Sequence, residues 1–168
     1  MVLLAVGCST PTSSQPDPPS SSASRPDASS ATNAACPDTA PVSSGSVPAA
    51  VHDFDKKSNW YGADGLWVAQ PRLLDHMDEH EEGYRTKYAS ITLDAQGRVT
   101  DQRGAPHIEV ERLDRSGSAR GSTGGFATAN GDRQWWPTVI SFPGPGCWQV
   151  TESLGSTEVR FTVHVAAR

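Results

Sequence analysis

A short acidic segment, 75–82, carries the residue types that most often bind transition metals. His76 and His80 are four positions apart and stand among carboxylates, including Glu79. On a helix two residues at this spacing share a face, and paired imidazoles suit Cu, Zn or Ni. The segment lacks the His-Glu-x-x-His pattern of zinc peptidases, because Met77 follows the first histidine. We expect either a Cu or Zn site at His76, His80 and Glu79 or an acidic, solvated loop with two incidental histidines.

Aromatic side chains are the second group of candidate binding residues. Exposed aromatic rings often serve interfaces with proteins or sugars, and the four candidates are Trp60, Tyr61, Trp135 and Trp136. The alternative is core packing, which is favoured for Trp67 and Trp148. In an extended segment neighbouring residues point to opposite faces, so at most one of Trp135 and Trp136 is readily placed in a core.

The sequence gives little support for nucleophilic catalysis. It has no Gly-x-Ser-x-Gly elbow, and most of its serines lie in a low-complexity region before residue 51. The glycine-rich run 117–125 lacks the following lysine of a phosphate-binding loop, and we expect it to be a mobile hairpin loop. A non-enzymatic protein without a cofactor is therefore predicted.

The first cysteine indicates a route to the membrane. Cys8 follows a short apolar run and Gly7, a pattern that resembles the lipobox of bacterial lipoproteins, in which the cysteine is acylated after residues 1–7 are removed. A signal peptide requires a positively charged segment at its start, but no lysine or arginine precedes Cys8. We therefore expect a start upstream of Met1 or a shortened chain. The alternative is a cytoplasmic tail with an incidental cysteine.

Composition separates a tether from a folding region. Residues 8–50 are rich in Ser, Pro, Ala and Thr, and such a segment buries too little apolar surface to offset its ordering entropy. We expect a disordered linker there and a single domain over 51–168. The net charge of −5 and the scattered basic residues exclude a typical nucleic-acid binder. No apolar run approaches the roughly 20 residues that span a bilayer.

Strand-like alternation dominates the C-terminal region. Val159, Phe161, Val163 and Val165 alternate with polar residues, which predicts a strand with one buried face. Further strands are predicted at 66–69, 84–93, 107–113, 136–142 and 146–151, and a turn at 154–156. Six or seven short strands with Gly and Pro turns favour an all-β, immunoglobulin-like two-sheet sandwich. The one segment with helical potential is 71–82.

Several motifs resemble those of a set of uncharacterised secreted bacterial proteins. The matching stretches start with Cys-Pro-Asp-Thr-Ala-Pro at Cys36 and include Trp-Tyr-Gly at Trp60, Gly-Tyr-Arg-Thr-Lys at Gly83 and Phe-Pro-Gly-Pro-Gly-Cys-Trp-Gln-Val-Thr at Phe142. The resemblance implies a shared fold and a disulfide between Cys36 and Cys147, and it implies no activity. An oxidising compartment would favour that bond; two free thiols are the alternative.

These patterns together predict a non-catalytic lipoprotein of the cell envelope. Its β-sandwich would serve a binding or structural role, held at the membrane through Cys8, with an envelope protein or polysaccharide as partner. The alternative is a periplasmic transition-metal-binding protein that uses His76 and His80. A hydrolase would require polar groups from separate loops to meet in space.

Overall fold

The computed structural model describes residues 36–71, 79–80, 83–129 and 131–167, and they belong to one compact unit. A 3-10 turn at Ser44–Ser46 and a short helix precede ten strands. The helix is α1 (Ala49–Phe54), and the strands are β1 (Trp60–Ala63), β2 (Leu66–Ala69), β3 (Glu79–His80), β4 (Gly83–Thr92), β5 (His107–Arg112), β6 (Arg120–Thr123), β7 (Ala127–Ala129), β8 (Arg133–Phe142), β9 (Gly146–Leu154) and β10 (Thr157–Val165).

Two antiparallel sheets form the fold, so the prediction of an all-β two-sheet sandwich is confirmed. The large sheet has the order β1-β2-β4-β8-β6, with β3 added to β4 and β7 added to β8. The small sheet has the order β10-β9-β5. The long strands β4, β8 and β9 each have a partner strand on both sides, so their backbone N–H and C=O groups are largely paired.

The C-terminal hairpin follows the predicted alternation. Strands β9 and β10 pair over their full length, from Thr157 opposite Leu154 to Val165 opposite Gly146. Gly155 occupies the turn with φ +63°, a left-handed conformation that glycine adopts without steric cost. The register places Phe161 opposite Val150, so both side chains face the large sheet.

The glycine-rich run 117–125 is not a mobile loop, contrary to the sequence prediction. It contains β6, which pairs with β8 so that Gly121 lies opposite Ile140. A Cβ atom at Gly121 would come within 2.4 Å of the Ile108 side chain. Glycine is needed there because two strands from different sheets approach closely. A glycine-rich composition by itself does not distinguish this packing requirement from flexibility.

The main core lies between the two sheets. Its largest members include Phe142 and Trp148, whose rings are 5.5 Å apart, and Phe161, which is 1% exposed. Phe161 stacks on Tyr61 with a ring separation of 4.8 Å. Burial of aromatic rings from both sheets supplies the apolar contact that holds the sandwich together.

A second, smaller core lies on the outer face of the large sheet. Val51 of α1 is fully buried there and packs with Trp60, Trp67 and Ile91. Val42 and Val47, which precede α1, pack against the same cluster. The described fold therefore starts ahead of the domain boundary that we expected at residue 51, because the end of the Ser/Pro-rich region supplies part of this outer layer.

The two long sides of the sandwich close in different ways. On one side β5 continues into β6, and backbone hydrogen bonds such as Ala119 N–H to Val110 O (3.0 Å) join the sheets. On the other side β1 and β10 are the edge strands. Residues 36–47, which we call the strap, lie across that second side. We call the gap between β1 and β10 the seam.

Candidate functional site

A disulfide fixes the start of the strap. Cys36 and Cys147 are bonded, with their Cα atoms 5.4 Å apart and 111 positions between them in sequence. The pairing implied by the motif resemblance is confirmed. Cys147 belongs to β9, the central strand of the small sheet, so the bond joins the strap to a strand that is paired on both sides.

Hydrogen bonds attach the strap to both edge strands. The Thr162 amide of β10 donates to Thr39 Oγ1 at 3.0 Å, and the Val42 amide donates to the Trp60 carbonyl of β1 at 2.8 Å. Unpaired edge groups invite association with other chains. The strap therefore protects both edges at the seam while leaving room beside it.

A cleft of about 360 Å³ opens at the seam next to the strap. Its walls come from the strap, from β10, and from β1 and the residues after β2. The lining residues are Asp38, Thr39, Ala40, Pro41, Tyr61, Gln70, Pro71, Thr162, Val163 and His164. Most of the polar groups are neutral hydrogen-bonding groups, with one carboxylate and one imidazole among them.

Tyr61 connects the cleft to the main core. Its ring is 5% exposed and stacks on Phe161. Burial raises the pKa of the Tyr61 hydroxyl, Asp38 adds to the rise, and a hydrogen bond with Gln70 opposes it. The phenol consequently stays neutral near pH 7 and can act as both a donor and an acceptor.

The predicted aromatic platform is not present. Trp60 and Tyr61 are 2% and 5% exposed, and Trp136 is 9% exposed. Trp60 is covered by the outer layer, while Trp136 packs on Phe126 with ring centroids 5.0 Å apart. Burial of these rings is more favourable than their exposure to water, because each ring removes a large apolar area from solvent.

Adjacent tryptophans on β8 do face opposite ways, as the extended backbone predicted. Trp136 faces inward, and its indole N–H donates to Thr92 Oγ1 at 3.1 Å. Trp135 faces outward and is half-buried against Phe54 of α1, with ring centroids 5.4 Å apart. Of the four candidate aromatics, only Tyr61 lines the cleft.

The predicted metal ligands fall mainly outside the described residues. His76 lies outside them, as does Cys8, and both stay predictions. The backbone of Glu79 and His80 forms β3, paired with the start of β4. These two positions are therefore extended and do not belong to the helix considered for 71–82. Among the described residues there is no group of three or more His, Cys, Asp or Glu side chains placed to hold a metal.

A buried carboxyl between the sheets escaped the sequence analysis. Glu152 of β9 is fully buried, and its Oε1 accepts a hydrogen bond from Ser90 Oγ at 3.1 Å. The Ser90 and Thr138 hydroxyls are 2.7 Å apart. Within the described part of the chain, Glu152 Oε2 and the Tyr88 hydroxyl lack a hydrogen bond of good geometry.

The surroundings of Glu152 favour the neutral form of its carboxyl. Burial raises the pKa of Glu152 to about 7, while the Tyr88 and Ser90 hydroxyls oppose the rise. Burial, together with the carboxyl, raises the pKa of Tyr88 well above its ordinary value. The signal in the sequence was positional: Trp148, Val150 and Glu152 are two apart, so they share the inward face.

Comparison with known proteins adds no relative. Neither protein-family models nor curated proteins nor solved structures gave a match to this chain. Within the described residues, no helix is both long and apolar enough to cross a membrane.

Proposed function

We propose that this chain is a non-catalytic, lipid-anchored binding protein of the bacterial cell envelope. Its ligand site is the cleft at the seam, and its ligand is a hydroxyl-rich saccharide of the envelope. The observation that carries the proposal is that one wall of the cleft is the strap, which the Cys36–Cys147 bond holds in place.

A fixed wall favours binding because the ligand need not order it. Immobilising flexible groups on association costs binding free energy, and a pre-organised site avoids that cost. Closing a loop of about 110 residues contributes roughly 4–5 kcal/mol in the chain-entropy treatment of disulfides. The strap is further held at Thr39 and Val42 by bonds to each edge strand.

The chemistry of the lining favours a saccharide. Sugar hydroxyls both donate and accept hydrogen bonds, and Thr39, Gln70 and Thr162 in the lining carry donors and acceptors. Some of these atoms also bond within the protein, as Gln70 Oε1 does with the Asn59 amide. Asp38 supplies a carboxylate acceptor, and His164 supplies an exposed imidazole. Pockets with a few such groups above an apolar floor, here Tyr61, are typical small-ligand sites.

Anchoring through Cys8 fits this location. The motif around Cys8 and the Ser/Pro-rich composition of residues 9–35 support an acylated cysteine followed by a spacer of the kind that holds a domain away from a membrane. A disulfide is also more stable outside the reducing cytosol. Intact-mass spectrometry of the protein from its native membrane tests the anchor, and an unacylated, unprocessed chain would refute it.

Saccharide binding is tested with variants of the cleft. Soluble cell-wall polysaccharide fragments are titrated into the isotope-labelled protein, and amide shifts are followed by NMR. We expect saturable shifts at Tyr61, Thr162 and His164, and at least tenfold weaker binding by Asp38→Asn combined with Gln70→Ala. The matched control is Asp101→Asn, which changes an exposed aspartate outside the lining. Shifts spread evenly over the surface would rule out the cleft.

A further inference from the structure

The outer face of the large sheet has an uncovered half. Towards the C-terminal end of β4, Ala89 and Ile91 are buried under the outer layer. Towards its N-terminal end, Arg85 and Lys87 share the same face and are exposed. Strand β6 adds the exposed Arg120. We call Arg85, Lys87 and Arg120 the basic row.

The strand register brings this row together. Ser141 of β8 lies opposite Arg85 of β4 on one side and opposite Arg120 of β6 on the other. Neighbouring strands are about 4.8 Å apart, so the two arginine backbones are roughly 10 Å apart with a hydroxyl between them. Lys87 lies in the next outward row, opposite Val139.

The three cations lack carboxylate partners among the described residues. Three other described arginines have carboxylate partners: Arg98 pairs with Asp94 at 2.8 Å, Arg112 with Asp114 at 2.6 Å and Arg160 with Glu158 at 2.7 Å. No ion pair joins Arg85, Lys87 or Arg120 to a described acidic side chain. Three like charges on one face repel one another, and an anion bound between them would relieve that repulsion.

A pocket at the end of the row gives an anion a place to sit. It measures about 260 Å³ and is lined by Ser118, Ala119, Arg120, Ser141 and Pro143, so Arg120 belongs to its lining and Arg85 lies across Ser141 from it. Arginine presents a planar set of N–H donors that matches the oxygens of a phosphate group, and a serine hydroxyl adds a further donor. The overall charge of −5 makes such a concentration of cations without a described carboxylate partner unusual for this chain.

We propose that the basic row, with Ser141 at its centre, binds a phosphate group. Arg85 and Arg120 hold the phosphate oxygens from opposite sides, Ser141 donates to a third oxygen, and Lys87 adds long-range attraction. The group is either free phosphate or one unit of a phosphate-bearing polymer. This site lies on a different face from the cleft at the seam and does not depend on the saccharide proposal.

Titrations with two probes test the site and identify the source of the phosphate. Inorganic phosphate and a soluble glycerol-phosphate polymer are added separately to the full chain at constant ionic strength, and amide shifts are recorded. We expect saturable shifts in β4, β6 and β8. Polymer binding at least tenfold tighter per phosphate indicates a polymer ligand, and equal affinity per phosphate indicates a single phosphate group.

Matched double variants separate a site from general charge attraction. Arg85→Gln with Arg120→Gln should weaken binding at least tenfold, while Arg98→Gln with Arg160→Gln, which removes the same charge elsewhere, should change it less than twofold. Thermal midpoints verify that both variants are folded. Equal weakening by the two double variants, or wild-type affinity in the first, would overturn the proposal. The Asp38→Asn change should leave phosphate binding intact.

Discussion

Strand β4 has polar residues on both faces, but they are buried on one face and exposed on the other. Its inward face carries Thr86, Tyr88 and Ser90 under the small sheet, and its outward face carries Arg85 and Lys87 in water. Tyr88 and Ser90 lie beside the buried Glu152 carboxyl, and Ser90 donates a hydrogen bond to it. The outward groups are unpaired within the described residues. Polarity alone therefore does not place a residue: the hydroxyls of Thr86 and Tyr88 are buried even without a hydrogen bond of good geometry, but a cation needs water or an anion.

The largest expected difference in stability is between substitutions on the two faces of β8. Ile140 is fully buried in the main core, and the adjacent Val139 is half-buried on the outer face. We expect Ile140→Ala to lower the free energy of unfolding by about 2–5 kcal/mol through a cavity. Val139→Ala should cost about 1 kcal/mol or less, because water fills the space. Urea denaturation measures both, and equal losses would contradict the assigned faces.

The second effect is a pH dependence that comes from the inward face. Glu152 ionises near its ordinary value of 4.5 when unfolded and at about 7 when folded, so the native state holds the proton more tightly. The stabilisation that Glu152 contributes is therefore fully present below pH 4.5 and is lost as the pH rises to about 7, by roughly 3 kcal/mol at most.

The Glu152→Gln variant isolates this contribution. It should remove the decline between pH 5 and 7.5, which is read from the difference between its unfolding free energy and that of the wild type. Asp114 is exposed and Asp94 is partly exposed. Hydrogen bonds from arginine residues lower the pKa of both carboxyls, so their effect on stability has the opposite sign and falls at more acid pH. Parallel curves for the two proteins would mean that Glu152 is ionised in the fold.

A third comparison uses two serines on opposite faces. Ser90→Ala removes the hydroxyl that bonds to Glu152 and should cost about 1–3 kcal/mol, since a buried carboxyl loses its donor. Ser141→Ala removes an outward hydroxyl, which water can replace, and should change stability by about 0.5 kcal/mol or less. Thermal unfolding at pH 6 measures both, and a reversed order would contradict the placement of the buried cluster.

The smallest effect on stability should come from the basic row. Arg85→Gln and Lys87→Gln should each shift the free energy of unfolding by about 0.5 kcal/mol or less, because exposed charges contribute little. Mutual repulsion even allows a slight gain at low salt. Calorimetry at two ionic strengths tests this, and a large loss would show that these side chains are structural.

Much of the strand pattern was predictable, whereas the contents of the site were not. The hairpin of β9 and β10 followed from strict alternation with one apolar face, and the turn at Gly155 from its sequence. The prediction of an aromatic platform was wrong because Trp60 and Tyr61 are buried in two separate cores. The sequence alone does not show that a second core covers the outer face of the large sheet. The strap was missed because its contacts, such as Thr39 with Thr162, are 123 positions apart.

By itself the sequence determined which residues share a face, because side chains alternate along every strand. It also separated the low-complexity region from the folding region, since burial requires apolar residues. Only the tertiary structure decided which face of β4 turns inward, because neither face is uniformly apolar. The choice depended on the small sheet and the outer layer that cover β4, and those contacts placed Glu152 in the core and left Arg85 and Arg120 on either side of Ser141.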